Sequence, residues 1–244
     1  MKTQIYCINL PKSTDRHDRM IQRFTFHKLI NNVTFIEAVD KNSSQVDFYL
    51  TDFDSYPIDD KVRGEAACFA SHLKAIKTFL QERPNDKGAI ICEDDILLHN
   101  DFKSLVTKLF KHVPKDAPLV SLGYLVYYWY GFKWINSAEN LCQIIPDLVW
   151  GTQMYWISRK YALQVIDNFD QPFWKFTGFR TSELITRFSN GYICYPPMVI
   201  EEAIDSHIRK TDDMSHHYQL NAKWGYQNYS VAEKEHLSPL AKLS

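Results

Sequence analysis

Residues 88–100 read GAIICEDDILLHN, two apolar runs separated by three consecutive carboxylates, and this segment limits the possible folds most tightly. A run such as Ala89, Ile90, Ile91 and Cys92 suits a strand buried on both faces, which belongs in a sheet covered by helices on either side. Glu93, Asp94 and Asp95 then emerge where that strand ends, not on an ordinary solvated face. Two carboxylates about 5 Å apart at an effective dielectric of about 20 repel by roughly 3 kcal/mol, so the trio needs compensation. A proton on one acid, the capping of loop amides and a divalent cation are all available remedies, and hard oxygen ligands suit magnesium or manganese. In an extended segment Glu93 and Asp95 point to one side and Asp94 to the other. The outer two can then share an ion, and the middle acid is left for hydrogen bonding, for instance to a ribose hydroxyl.

The rest of the chain supplies the sheet this strand needs. QIYCINL reads as a first strand stopped at Pro11, and Ser13 or Thr14 can cap the helix that follows. Residues 33–39 read as a second strand, and the polar, acidic stretch 42–61 reads as a loop. A helix opens at Gly64, with Ala67, Phe69, Ala70, Leu73, Ile76 and Leu80 at helical spacing, and closes at Pro84. After the acids, Asp101 can cap a helix over 102–112, and residues 118–122 begin another strand. Strand, helix, strand, helix, strand in this order predicts an α/β fold with a mostly parallel central sheet and flanking helices. Ligands bind such sheets at the carboxyl ends of the strands, so the loop after Leu10 and the acid trio share one crevice. The second half holds an aromatic-rich stretch, 124–134, and GTQMYWISRKYALQVI, a strand followed by a helix. Tyr and Trp in such a stretch serve either core packing or stacking on sugar faces. Residues 1–210 are expected to form a single catalytic domain and 211–244 an appended wrap or lid.

Composition narrows the function. With 28 Lys and Arg against 29 Asp and Glu, and no basic stripe, nothing marks a nucleic-acid binder. The five cysteines are scattered, odd in number and set mostly in apolar stretches, which suits reduced thiols better than a disulfide framework. No signal-peptide pattern precedes the first strand, and no run of about 18 apolar residues occurs. The expectation is a soluble cytoplasmic protein, with peripheral contact at the inner membrane face left open.

The segments IYCINLPKSTDRHDRM, FIEAVD, GEAACFASHLKAI, AIICEDDILL and GTQMYWISRKYA, in this order, resemble glycosyltransferase family 25. That family includes lipooligosaccharide and collagen galactosyltransferases. The resemblance implies a GT-A type fold with a Rossmann-like nucleotide-binding half. It also implies a UDP-sugar donor, usually UDP-galactose, a divalent ion and inversion at the anomeric carbon. It places Asn9, Leu10 and Arg16 beside the donor nucleotide, with Arg19 a second basic candidate. Asp40 matches the acidic position after the second strand, although Lys41 stands where the family has glycine. Gly64, Glu65, Ser71 and His72 match its GE and SH positions; Glu65 in a first helical turn also suits capping. The acid trio matches its DxD-like element, with Asp95 as direct metal ligand, Glu93 close to the ion and Asp94 toward the ribose. Ser206, His207 and Ile208 match its closing motif, and His207 either completes a manganese site or is a surface histidine.

An inverting transfer needs a carboxylate base near the acceptor hydroxyl. In FTGFRTSELITRF, Glu183 is the candidate, and Asp147 stands in reserve. The acceptor implied is a glycan on lipooligosaccharide, polysaccharide or glycoprotein. Two other classes stay open: a metal-dependent phosphoesterase, and a non-catalytic nucleotide-sugar or carbohydrate-binding protein of the same fold.

Overall fold

The apolar runs become the strands of one sheet, and the periodic segments become the helices that seal it. The computed structural model describes residues 3–51, 53, 57–125, 134–136, 141–144, 149–172, 181, 189–202 and 228–229. In chain order the main elements are β1 (Ile5–Asn9), α1 (Thr14–Phe26), β2 (Val33–Glu37), α2 (Ser44–Leu50), α3 (Asp60–Glu82), β3 (Gly88–Cys92) and β4 (Ile96–Leu98). They continue with α4 (Phe102–Leu109), β5 (Leu119–Leu125), β6 (Trp134–Asn136), β7 (Leu141–Gln143), β8 (Trp150–Ser158), α5 (Arg159–Phe169), β9 (Tyr192–Cys194) and β10 (Val199–Glu201). The strand order is β2-β1-β3-β8-β5-β9-β7-β6, with β10 against β5 and β4 against β10.

The sheet is mixed but mostly parallel. Strands β1, β2, β3, β5, β6, β9 and β10 point one way, while β4, β7 and β8 run against them. Both faces of β3 are buried, as its unbroken apolar run demands. On one face Tyr49, Phe69, Phe79, Ile91, Tyr155 and Val165 pack the sheet against α2, α3 and α5. On the other, Phe24, Phe102, Val106, Cys92 and Met154 pack it against α1 and α4. The result is a three-layer α/β sandwich. All five cysteines are unbonded thiols.

Three local expectations are corrected. The stretch 42–61 is not a plain loop: α2 lies within it, because Val46, Tyr49 and Leu50 share one face and are buried against α3. The helix expected to open at Gly64 begins at Asp60, where Asp59 at the N-cap accepts from the Val62 amide. Glu65 therefore stands in the second turn, and its capping role falls away. Ser13 and Asp101 occupy the N-cap positions of α1 and α4, but neither side chain makes a capping bond.

The aromatic stretch beyond Leu125 lies outside the described residues, as does most of the segment after residue 202. Tyr229 is described, and it is buried against Leu97 and Ile200 with its hydroxyl donating to the Pro197 carbonyl at 2.6 Å. Part of the late chain thus docks on the β4–β10 edge.

Candidate active site

Parallel strands β1 and β3 end side by side, with Cys7 opposite Cys92, so the residues after them meet in one crevice. Beyond Cys92 the chain bends instead of continuing as strand, and this changes how the acids point. Asp94 and Asp95 both reach one nitrogen of Arg16: Nη1 donates to Asp94 Oδ1 at 2.9 Å and to Asp95 Oδ2 at 3.3 Å. Strict strand alternation across the trio does not hold. Asp94 Oδ2 also accepts from Asn9 Nδ2 at 2.7 Å, and the same nitrogen donates to the Ser13 carbonyl at 3.2 Å. Arg16, Asp94 and Asn9 are all buried, so they tie the β1 loop to the β3 loop as one unit.

Glu93 turns toward α3. Its Oε1 accepts from Thr152 Oγ1 at 2.6 Å and lies 3.7 Å from His72 Nε2, while its amide donates to the Gln153 carbonyl at 3.0 Å. His72 is fully buried; its Nδ1 is 3.0 Å from the Tyr155 hydroxyl and its ring stacks on Tyr155 at 5.7 Å. Burial pushes the Tyr155 hydroxyl well above its ordinary pKa, helped by the nearby Glu93 charge. His72 Nε2 faces the Glu93 carboxylate at 3.7 Å, beyond hydrogen-bond length. Burial alone pushes the Glu93 carboxyl up, but His72, Thr152 and Arg16 outweigh it and hold the group below the usual range.

Asp95 is the opposite case. Burial pushes its carboxyl well up, reinforced by the charges of Glu201 and Glu93, and Arg16 only partly offsets them. Its Oδ1 is buried and has no hydrogen-bond partner among the described residues. Two environments thus pull neighbouring carboxylates apart in proton affinity, a pattern typical of functional sites.

Among the described residues no group of three or more His, Cys, Asp or Glu side chains forms a metal cage by itself. A magnesium-like ion does not need one, since it commonly keeps waters and uses one or two carboxylates with substrate phosphates. The unsatisfied Asp95 oxygen and the excess of carboxylates around it fit such an ion.

The remaining expected residues divide. Ser71 is structural, donating to the Ala67 carbonyl at 2.7 Å and accepting from the Val39 amide at 2.8 Å, which ties α3 to the exit of β2. Gly64 is buried in α3, and Glu65 lies near Cys68, whose thiol also feels Glu93 and Asp95. Arg19 pairs with Asp15 at 3.0 Å and with Glu202 at 3.5 Å. Asp40 is half-buried, and the Asn42 amide with Lys12 holds its carboxyl below the usual range. Lys41, in place of the family's glycine, does not adopt a positive φ, so the turn accommodates a side chain without strain. The carbonyl of Leu10 accepts from the Ser13 amide at 2.8 Å, closing the tight turn after β1. Glu183, Asp147 and His207 lie outside the described residues; Thr181, two positions before Glu183, donates to the Cys68 sulfur at 3.5 Å.

The sequence reading missed Glu201, Glu202 and Arg23. Arg23 forks onto both oxygens of Glu202 and donates to the Ile96 carbonyl at 3.1 Å, and the Glu202 amide donates to the Asp95 carbonyl at 2.6 Å. The signal was present in VIEE, acids directly after a buried strand, the same pattern as in ICEDD.

Procollagen galactosyltransferase 2 of Mus musculus is 29% identical over 173 residues, covering 66% of this chain and 26% of that protein. The Homo sapiens protein of the same name is 28% identical over 167 residues, covering 63% and 25%. The chain therefore spans about a quarter of the length of these relatives. A solved glycosyltransferase involved in the glycosylation of the major capsid of PBCV-1 aligns at a TM-score of 0.45 and 9% identity, over 88% of this chain and 99% of its own. The model of glycosyltransferase family 25 (LPS biosynthesis protein) matches residues 2–175, a span that contains β1 through α5 and the whole acid trio, and the chain belongs to that family.

Proposed function

We propose that this chain transfers a hexose, with galactose the first choice, from a UDP-sugar to a glycan acceptor, with inversion and with manganese or magnesium. The observation that carries the reading is Asp95: a buried carboxylate with an unsatisfied oxygen and too many acidic neighbours, at the mouth of the β1–β3 crevice. Family membership and the likeness to procollagen galactosyltransferases support the sugar chemistry. The acceptor class, whether lipooligosaccharide, polysaccharide or glycoprotein, follows the family's range.

In this reading Asp95 and Glu93 hold the cation, with His207 a further ligand. When bound, the ion supplies positive charge against the departing diphosphate. Arg16 and Asn9 hold Asp94 and Asp95 in place, and His72, Tyr155 and Thr152 keep Glu93 ionised. Asp94 contributes to the donor site beside the ribose from within this network, and Leu10, Arg19, Asp40, Gly64 and Glu65 shape its rim. Ser71 acts at a distance, by fixing α3. Glu183 takes the proton of the acceptor hydroxyl as it attacks, with Asp147 as the reserve base.

The test is incubation of the purified protein with manganese and UDP-galactose, following UDP separately from inorganic phosphate. UDP release that rises with added glycan acceptors is the expected result; phosphate release instead would mark a phosphoesterase. Glu183→Gln is expected to abolish turnover and spare UDP binding, and near-normal turnover would remove it as the base.

A further inference from the structure

Large apolar side chains on this surface are few. Among the described residues, Phe26, Phe48, Ile58, Trp150 and Leu163 are exposed, and four of these stand on helices or just ahead of one. Trp150 is different. It is 37% exposed and is the first residue of β8, the strand that hydrogen-bonds Glu93 of the acid trio. Because β8 runs antiparallel to β3, with Met154 opposite Cys92, its first residues extend past the end of β3 over the crevice. Thr152 already touches Glu93 there.

The turn after Trp150 is built for close approach. Gly151 has φ +86°, and a Cβ at that position would lie 2.3 Å from Gln153 Oε1 and 2.6 Å from its Nε2. The Gln153 amide is therefore packed directly on the glycine. It is 5% exposed, and its Oε1 has no hydrogen-bond partner among the described residues. A partly exposed indole and a buried, unsatisfied amide oxygen thus lie within three residues of each other, beside a carboxylate already assigned to the donor site. At about 3.3 Å per strand residue, Trp150 stands at most about 7 Å along from Thr152, roughly the breadth of one sugar ring.

We infer that Trp150 and the Gly151–Gln153 turn form the acceptor platform, on which the indole stacks against the C–H face of a hexopyranose next to the donor carboxylates. A pyranose has one face of axial C–H bonds and a rim of hydroxyls, so it can offer the first to an indole and the second to an amide oxygen. A hydroxyl of the ring donates to Gln153 Oε1 after a small shift of the turn. This placement rests on the glycosyltransferase reading for its role, although sugar binding at Trp150 can be measured without it.

The experiment is saturation-transfer NMR of methyl β-D-galactopyranoside and methyl β-D-glucopyranoside, with UDP and manganese present. It compares the unaltered protein with Trp150→Ala, Trp150→Leu and Trp150→Phe, each checked by thermal melting. Transfer to ring C–H protons of at least one glycoside is expected in the unaltered protein. A loss of affinity of about 3- to 10-fold is expected in the Ala and Leu variants, with recovery in the Phe variant. Undiminished binding in Trp150→Leu, or no transfer from the unaltered protein to either glycoside, would overturn the proposal. UDP titration of the same samples separates the two readings. Unaltered UDP affinity in the variants beside lost glycoside binding places Trp150 on the acceptor side, and equal loss of both overturns that placement. Failure of UDP to bind the unaltered protein sinks the donor reading alone.

Discussion

Replacing Arg16 by methionine is the most revealing single change to the acid network. The guanidinium nitrogen lies 2.9 Å from Asp94 and 3.3 Å from Asp95, and the Arg16 and Asp94 side chains are only 9% and 11% exposed. At an effective dielectric of about 20, the two contacts have a gross attraction of about 6 and about 5 kcal/mol, most of which offsets desolvation. Methionine keeps much of the packing but leaves two carboxylates without their cation. Breaking a buried pair in this way costs about 3–5 kcal/mol. For a domain of this size each kcal/mol shifts the melting temperature by about 2–4 °C, so a fall of about 6–20 °C is expected at pH 7. The assay is thermal melting by circular dichroism across pH. The deficit should shrink as pH falls, because Asp95, already pushed toward holding a proton, becomes neutral first. Arg16→Met combined with Asp94→Asn should be more stable than Arg16→Met alone, a non-additivity expected of partners in contact. A melting temperature within about 2 °C of the unaltered protein, or a double variant worse than the single by the full cost of both, would refute the pairing argument.

The other outcomes follow from the same site. Thr152→Val removes the 2.6 Å donor to Glu93, and with a charged acceptor this is expected to cost about 1.5–3 kcal/mol, read by urea unfolding at pH 7; an unchanged midpoint would contradict it. Asp95 titrates above its ordinary value when folded, so its contribution is fully present below the unfolded value near 3.8 and is lost as pH rises through the folded one. Melting in chelator should therefore show falling stability from about pH 4 upward for this group, flattened in Asp95→Asn, and identical pH profiles for the two proteins would contradict this.

Much of the site was legible because burial and charge conflict visibly in the sequence. ICEDD could only be a buried strand delivering acids to an edge, and β3 with its trio stands where that conflict put it. The mostly parallel sheet followed from the alternation of strand and helix. Alternation along a strand failed at Asp94 because the chain bends after Cys92, which lets Arg16 bridge neighbours that a flat strand would separate. Helix α2 was hidden because a two-turn helix needs only three buried residues, here Val46, Tyr49 and Leu50, among polar ones. The Arg23–Glu202 pair was illegible for a different reason, since partners 179 residues apart leave no local pattern. The antiparallel insertion of β8 between β3 and β5 likewise depends on long-range pairing, yet it brings Thr152 to Glu93.

Calorimetric titration of UDP into the protein, with manganese and with chelator, bears most directly on whether the acid trio is a cation-dependent nucleotide site. Binding in manganese that weakens at least about tenfold in chelator and again in Asp95→Asn, a difference of about 1.4 kcal/mol each time, is the expected result. Equal affinity with and without the metal, together with an Asp95→Asn protein indistinguishable from the unaltered one, would contradict it.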